Sequence, residues 1–276
     1  TLRLNQSGVH SGAFVVAEGA ALTLLGTHEL TESSRLAAAN FTFGNAVINL
    51  RGVYDVSGTT QVTGGNHSLA AATVQNFGSN LVINSGALEL GTLSPTVTSF
   101  TQTGGTLTGS GDVTVTGTTT VSNANAYKNW TGTGTLVTQG ETTIDPSPGG
   151  WTLNLDGGRT WRNEGVVRII GGSIADAINL NFNNAESNAN AAGRIVNTGV
   201  FDLQSNAGVW GQSFAGEGPG TFENLSGAVL RKSGGTGTST FNVVLNNAGT
   251  VEVQSGTLRL NGDVAQHQGN VLTGGA

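Results

Sequence analysis

The chain has 276 residues, with 44 glycines, no cysteine and no methionine, and only 10% of its residues are charged. Low charge combined with only four prolines argues against an intrinsically disordered chain, and the absence of cysteine excludes a disulfide framework and thiolate metal sites. The net charge of −6, with no stripe of Lys and Arg, argues against nucleic acid as a partner. No apolar run is long enough to cross a bilayer, so we expect no membrane-embedded segment.

In place of charge, the sequence has Thr, Asn, Ser and Gly between single Val, Leu and Ile residues. This mixture is typical of many short strands joined by tight turns, because β-branched residues suit strands and Gly, Asn and Ser suit turns. The chain is therefore predicted to be all-β.

Two segments repeat along the chain. The first residues, Thr1–Asn5, recur letter for letter at Thr257–Asn261, and Leu81–Leu90 matches Val251–Leu260 in its alternation and in a Ser-Gly corner between two strands. Because a repeat with a period of a few tens of residues determines the architecture, these matches predict a repetitive fold. They also predict that the chain begins in the phase of the repeat in which it ends.

A second element consists of an apolar residue, any residue, Asn, any residue and Gly. We assign its Asn and Gly to structural corners: Asn76 and Gly78, Asn163 and Gly165, Asn197 and Gly199, Asn224 and Gly227 (with one extra residue), and Asn247 and Gly249. A corner of this kind requires positive φ, which Gly adopts freely and Asn tolerates. We expect the asparagines of successive coils to stack into an internal ladder.

Strands follow these corners at Val166–Ile169, Val200–Leu203 and Thr250–Val253. Their period-two alternation predicts that Val167, Phe201 and Val251 point inward, while Arg168, Asp202 and Glu252 point outward. The fold predicted from these patterns is a parallel β-helix (β-solenoid) of roughly a dozen irregular coils. We expect a single rod over residues 1–276, excerpted from a larger repetitive protein because both ends look like strands.

The Asn-x-Gly corner, the double strand around Ser255-Gly256 and the Cys-free, Gly/Thr/Asn-rich composition resemble bacterial autotransporter passengers and haemagglutinin-type repeat adhesins. The resemblance implies a right-handed parallel β-helix that is exported to the cell surface. It implies a structural or adhesive role as an extracellular stalk. The expected partners are an extracellular glycan or protein surface, or further copies of the chain.

Some β-helices process polysaccharides, and this is the main alternative. Catalysis would need carboxylates grouped on one outer face with a cation nearby, and Asp202, Glu223, Glu252 and Arg168 are the candidates. Alternating charges are also what any solvated strand ladder shows, so we expect no catalytic residue and no enzyme. The histidines lack ligand spacing, so neither a metal site nor a cofactor is expected.

A non-catalytic carbohydrate-binding module is the other alternative, since large aromatic faces stack on sugar rings. Trp161 occupies the apolar position of the Asn-x-Gly element, which favours packing in the core. Trp210 and Phe214 lie in a glycine-rich stretch with the character of an irregular loop. They are the predicted ligand-binding residues.

Overall fold

The structure, a computed structural model, describes residues 1–122, 127–147, 153–171, 177–180, 192–211, 219–266 and 271–274. Over these residues the chain is all-β, and parallel strands stack as a β-solenoid of about 11 turns. The predicted fold class is confirmed. The one antiparallel pairing among the described residues is an isolated bridge between Asp156 and Ala192.

Short strands separated by turns account for most of the described chain, as the composition predicts. Those of the first half are β1 (Leu2–Leu4), β2 (Gly8–His10), β3 (Ala13–Val16), β4 (Leu22–Leu24), β5 (Gly26–Leu30), β6 (Arg35–Phe43), β7 (Ala46–Leu50), β8 (Val53–Ser68), β9 (Thr73–Asn76), β10 (Asn80–Glu89), β11 (Thr96–Gln102), β12 (Gly105–Thr108), β13 (Val113–Val121), β14 (Lys128–Trp130), β15 (Thr135–Thr138) and β16 (Glu141–Ile144). Those of the second half are β17 (Leu153–Leu155), β18 (Thr160–Asn163), β19 (Val166–Ile169), β20 (Ile178–Asn179), β21 (Arg194–Asn197), β22 (Val200–Leu203), β23 (Val209–Trp210), β24 (Thr221–Asn224), β25 (Val229–Lys232), β26 (Thr238–Asn242), β27 (Val244–Asn247), β28 (Thr250–Val253), β29 (Thr257–Leu260), β30 (Val264–Gln266) and β31 (Val271–Gly274).

The strands form three ladders, which we call faces A, B and C. Face A contains β15, β18, β21, β24, β27 and β30; face B contains β16, β19, β22, β25, β28 and β31; face C contains β14, β17, β20, β23, β26 and β29. Toward the start of the chain, long strands such as β8 bend at corners and belong to more than one face. Face C continues there through β12, β10, β8, β7, β5 and β2.

Alternation along each strand places one set of side chains inside the rod. Val167 and Phe201 are fully buried and Val251 is 4% exposed, as their strand phase predicts. A row of aromatic rings runs through the core, with centroids 5.0–6.0 Å apart: Phe100, Trp130, Trp161, Phe201 and Phe222. One continuous apolar core therefore follows the axis of the solenoid.

The repeated pentapeptide lies in two different environments. Thr257–Leu260 forms β29 on face C, whereas its copy near the start forms β1, which pairs with β4 in a separate two-stranded sheet. The first strand of face C is β2 instead. The expectation that the chain begins in the phase of the repeat in which it ends is therefore wrong. Five residues with alternating apolar side chains fit any strand that turns one side inward, so the match does not specify the face.

Candidate functional site

A ladder of asparagine side chains runs inside face A. Asn163 Nδ2 donates to Asn197 Oδ1, Asn197 to Asn224, and Asn224 to Asn247, each at 2.8 Å. All four side chains are fully buried. The residues are 34, 27 and 23 positions apart, so insertions between the turns do not disturb the ladder.

Each ladder amide also satisfies backbone groups at its corner. The Nδ2 group of Asn197 also donates to the carbonyl oxygen of Val229 at 3.1 Å. In the same way, Asn163 Nδ2 donates to the carbonyl oxygen of Val200 at 3.1 Å. The Oδ1 atom of Asn163 accepts a hydrogen bond from the amide of Gly165 at 3.2 Å. Because unpaired polar groups are costly in a dry interior, the ladder fixes the corner while leaving few groups unsatisfied.

The glycines beside the ladder are needed for a different reason from the predicted one. Gly165, Gly199 and Gly249 do not have positive φ. A Cβ at each would overlap a backbone carbonyl oxygen of the preceding turn, that of Gly140, Gly165 and Ala228 respectively. Close approach of neighbouring turns, not a left-handed conformation, therefore explains these glycines.

Two predicted corners differ from the others. Asn76 is exposed and donates to Asp55 Oδ1 at 2.5 Å, so it lies outside the buried ladder. Gly78 and Gly227 have φ of 96° and 84°, as the positive-φ argument expects. The sequence element therefore describes two kinds of corner, which it cannot distinguish without the turn-to-turn register.

Of the predicted ligand-binding pair, Trp210 is half-buried on β23 of face C, and Phe214 lies outside the described residues. No described residue accepts a hydrogen bond from the Trp210 indole N–H. Trp130, Trp161 and Tyr54, by contrast, are fully buried in the core. These buried rings are unable to form a sugar-stacking surface.

A second column of amides, which the sequence patterns did not predict, lies on the outer side of face C. Asn154 Nδ2 donates to Asn129 Oδ1 at 2.8 Å, and Asn129 donates to Thr106 Oγ1 at 3.2 Å. In register, the column continues from Asn154 to Asn179 and then to Trp210. Asn242 follows Trp210 on the next turn. The sequence signal for this column is an Asn that recurs beside an inward apolar residue. The spacing between these asparagines is irregular, so the recurrence is not visible as a repeat in the sequence.

The charged residues considered for catalysis are spread along the rod as ion pairs between turns. On face B, Arg168, Asp202, Arg231 and Glu252 lie in register on consecutive turns. The pairs are Arg231 with Asp202 at 2.9 Å, Arg168 with Glu141 at 3.5 Å, and Arg194 with Glu223 at 2.6 Å. Exposed pairs of this kind contribute little stability and need no catalytic explanation.

Asp202 differs from the other carboxylates because its side chain is only 1% exposed. Burial raises the pKa of Asp202, but hydrogen bonds from Arg231, Ser233 and Gln204 outweigh that effect and lower the pKa below its ordinary value. A general acid requires a raised pKa. The environment of Asp202 therefore favours the ionised carboxylate, which is unsuited to act as a general acid.

Toward the start of the chain, face A continues from β15 through β13 and β11. A cleft opens where this ladder is interrupted, between β11 and β9. Strand β9 pairs with β8 but not with the following turn, where Pro95 has no N–H to donate. The cleft, of about 360 Å³, is lined by Ser57, Val74, Gln75, Asn76, Phe77, Gly78, Ser79, Pro95 and Thr96. None of these side chains is an acid, a base or a cation, so the cleft lacks groups for proton transfer.

Searches of the described residues for other kinds of site give negative results. They contain no cluster of three or more His, Cys, Asp or Glu side chains placed to hold a metal ion. They also contain no helix of the length and apolarity that crossing a membrane requires.

In comparisons with known proteins, no family model, no curated protein and no solved structure matches the chain.

Proposed function

We propose that this chain is a structural, adhesive part of a bacterial cell-surface protein: an extracellular stalk that provides reach and a repeated outer surface. The observation that supports this most is the parallel stack of about 11 turns around one core. With turns roughly 4.8 Å apart, such a stack is on the order of 50 Å long. A rod of this kind is stiff because each turn is bonded to both of its neighbours.

The distribution of chemical groups favours the same role. Several of the described charges form ion pairs between neighbouring turns, and the polar outer faces are hydrated strand surfaces. The likeness of the Asn-x-Gly corners to autotransporter passengers and haemagglutinin-type adhesins supports export to the surface. Many weak contacts along one rod give strong attachment through multivalency. We therefore favour an extracellular glycan or protein surface, or further copies of the chain, as the partner.

Removal of one whole turn tests the stalk. Deletion of residues 198–224, 27 residues in all, joins Asn197 to Leu225 and removes one turn together with its ladder residue Asn224. A stalk should remain folded and reach the surface, with its length reduced by one strand spacing, about 4.8 Å. Deletion of the same number of residues from 205–231 interrupts face B within β25 and serves as the out-of-register control. If the in-register deletion leaves the fold intact but abolishes a catalytic or ligand-binding activity of the chain, the stalk proposal is wrong.

Carbohydrate binding at Trp210 is the second candidate, and one observation favours it. The indole lies in register between Asn179 and Asn242, its N–H has no acceptor among the described residues, and it is half-buried on the outer side of face C. An aromatic face beside amide groups matches the chemistry of sugar rings, which stack on aromatics and exchange hydrogen bonds with amides.

A glycan array with purified chain, followed by titration of any hit, tests this second candidate. Trp210→Ala should abolish binding without changing the thermal midpoint by more than a few degrees, whereas binding should persist in Val15→Ala, which alters an exposed side chain on the remote β3. Equal binding by the chain and Trp210→Ala would eliminate Trp210 as the ligand site.

A further inference from the structure

Two histidines occupy core positions on face C in the first turns of the described chain. His28 and His67 lie in one inward column with Ile48 between them in register. His28 is fully buried and His67 is 3% exposed. The later turns fill the same column with apolar side chains: Leu88, Leu107, Trp130 and Leu155.

Burial and an unpartnered ring nitrogen favour a neutral ring for His67. Its Nε2 atom donates to the carbonyl oxygens of Gly64 at 2.6 Å and Gly44 at 3.1 Å. Its Nδ1 atom is buried and has no partner among the described residues. A second proton on Nδ1 would therefore add a charge and an unsatisfied N–H inside the core. Burial accordingly lowers the pKa of His67, although the bonds to the two carbonyls oppose the change.

His28 is hydrogen-bonded through both ring nitrogens. Its Nε2 atom donates to the carbonyl of Leu25 at 2.8 Å, which leaves Nδ1 to accept a hydrogen bond from His10 Nε2 at 2.9 Å. The rings of His10 and His28 stack with centroids 5.2 Å apart. Burial lowers the pKa of His10, and the neighbouring His28 lowers it further.

Nearby charges do not compensate a proton on these rings. No described carboxylate forms an ion pair with His10, His28 or His67. The acids on the strands packed against them engage arginines on the outer side: Glu29 with Arg51, and Asp55 with Arg35. Glu89 on β10 is exposed, and Tyr54, which stacks on Phe43 beside His67, is neutral because burial raises its pKa.

We propose that the turns spanning residues 8–69 are an acid-sensitive segment of the rod, which loosens in mild acid while the turns from residue 81 onward stay packed. Histidines whose pKa is lower in the folded state stabilise it fully above about pH 6.5, and that stability is lost as the pH falls below this value. The described residues beyond His67 contain no histidine. Because a solenoid is stabilised by contacts between neighbouring turns, loosening stays local.

Hydrogen–deuterium exchange of the whole chain, read by mass spectrometry at about pH 7.5 and about pH 5.5, tests the proposal. After correction for the intrinsic exchange rate, we expect amides in residues 8–69 to lose protection by about tenfold or more at the lower pH. Amides in residues 81–122 should change by less than about threefold. Equal changes in both segments, or no change in residues 8–69, would overturn the proposal.

The double variant His28→Gln/His67→Gln identifies the cause. Glutamine retains an amide donor but does not titrate, so the double variant should show the same exchange at both pH values in residues 8–69. Persistence of the pH-dependent loss would exclude His28 and His67 as its cause and would overturn the proposal. If the double variant does not fold, the imidazole resonances of the unaltered chain are titrated by NMR: a His67 pKa below 6.5 supports the proposal, and a value at or above 6.5 contradicts it.

Discussion

The side-chain amide of Asn197 donates a hydrogen bond to the amide oxygen of Asn224, one turn further along the rod, at 2.8 Å. Neither side chain is exposed. The same bond links Asn163 to Asn197 and Asn224 to Asn247. Because every rung both donates and accepts, the ladder fixes the register of face A across turns of unequal length.

Replacement of a middle rung should therefore be costly. Asn197→Ala removes the acceptor of Asn163 and the donors to Asn224 and Val229, and we expect a loss of about 2–4 kcal/mol in the free energy of unfolding. The matched control is Asn246→Ala, which alters a half-exposed asparagine beside the ladder and should change stability by less than about 0.5 kcal/mol. Chemical denaturation measures both; equal losses would show that the ladder has no special role.

The glycines of face A should be intolerant of a methyl group. In Gly199→Ala the new Cβ would overlap the carbonyl oxygen of Gly165, so neighbouring turns must separate, and we expect a loss of about 1–3 kcal/mol. Gly12→Ala is the control, because its Cβ meets nothing within 4 Å and its φ is not positive. Thermal unfolding should show little change in the control. A stable Gly199→Ala variant would show that the turns are not packed as closely as the structure indicates.

The buried carboxylate of Asp202 should make stability depend on acid pH. The pKa of Asp202 in the folded state lies below the unfolded value of about 3.8. Its contribution to the free energy of unfolding is therefore complete above about pH 5 and is lost as the pH falls toward the lowered pKa of the folded state. Asp202→Asn should lower the free energy of unfolding by about 1–3 kcal/mol at neutral pH. This figure is smaller than for a fully buried ion pair, because Arg231 is partly exposed and solvent screens its interaction with Asp202.

Denaturation curves of the chain and of Asp202→Asn across pH 2–7 test this linkage. The difference in stability between the two proteins should shrink toward acid pH. A difference that is constant over this range would mean that the proton on Asp202 is not linked to folding.

The aromatic row should be the most sensitive part of the core. Trp161 is fully buried, packs edge-to-face against Trp130 with ring centroids 5.4 Å apart, and donates its indole N–H to Thr138 Oγ1 at 3.0 Å. Trp161→Ala leaves a large cavity and an unpaired hydroxyl, for which we expect a loss of about 3–5 kcal/mol. Val15→Ala, at a side chain that is 71% exposed, should be nearly neutral by the same denaturation assay. A loss below about 1 kcal/mol in Trp161→Ala would contradict the packing described.

Local patterns were sufficient to predict three strands of the second half, Val166–Ile169, Val200–Leu203 and Thr250–Val253, and the inward position of Val167, Phe201 and Val251. They also located the ladder asparagines, because an asparagine followed two or three positions later by a glycine recurs at the corners of successive later turns. Asn76 has the same local pattern but a different environment, since burial depends on which residues the preceding turn places opposite it. The histidine column and the outer amides of face C were missed for the same reason: members such as His28 and His67 become neighbours only through register.

Labelling of intact cells of the source organism with an antibody against the folded chain tests the surface-stalk proposal most directly. The proposal predicts strong labelling without permeabilisation, and loss of that labelling after brief protease treatment of intact cells. A strain that lacks the gene is the control for specificity. Labelling that appears only after permeabilisation would contradict an extracellular stalk.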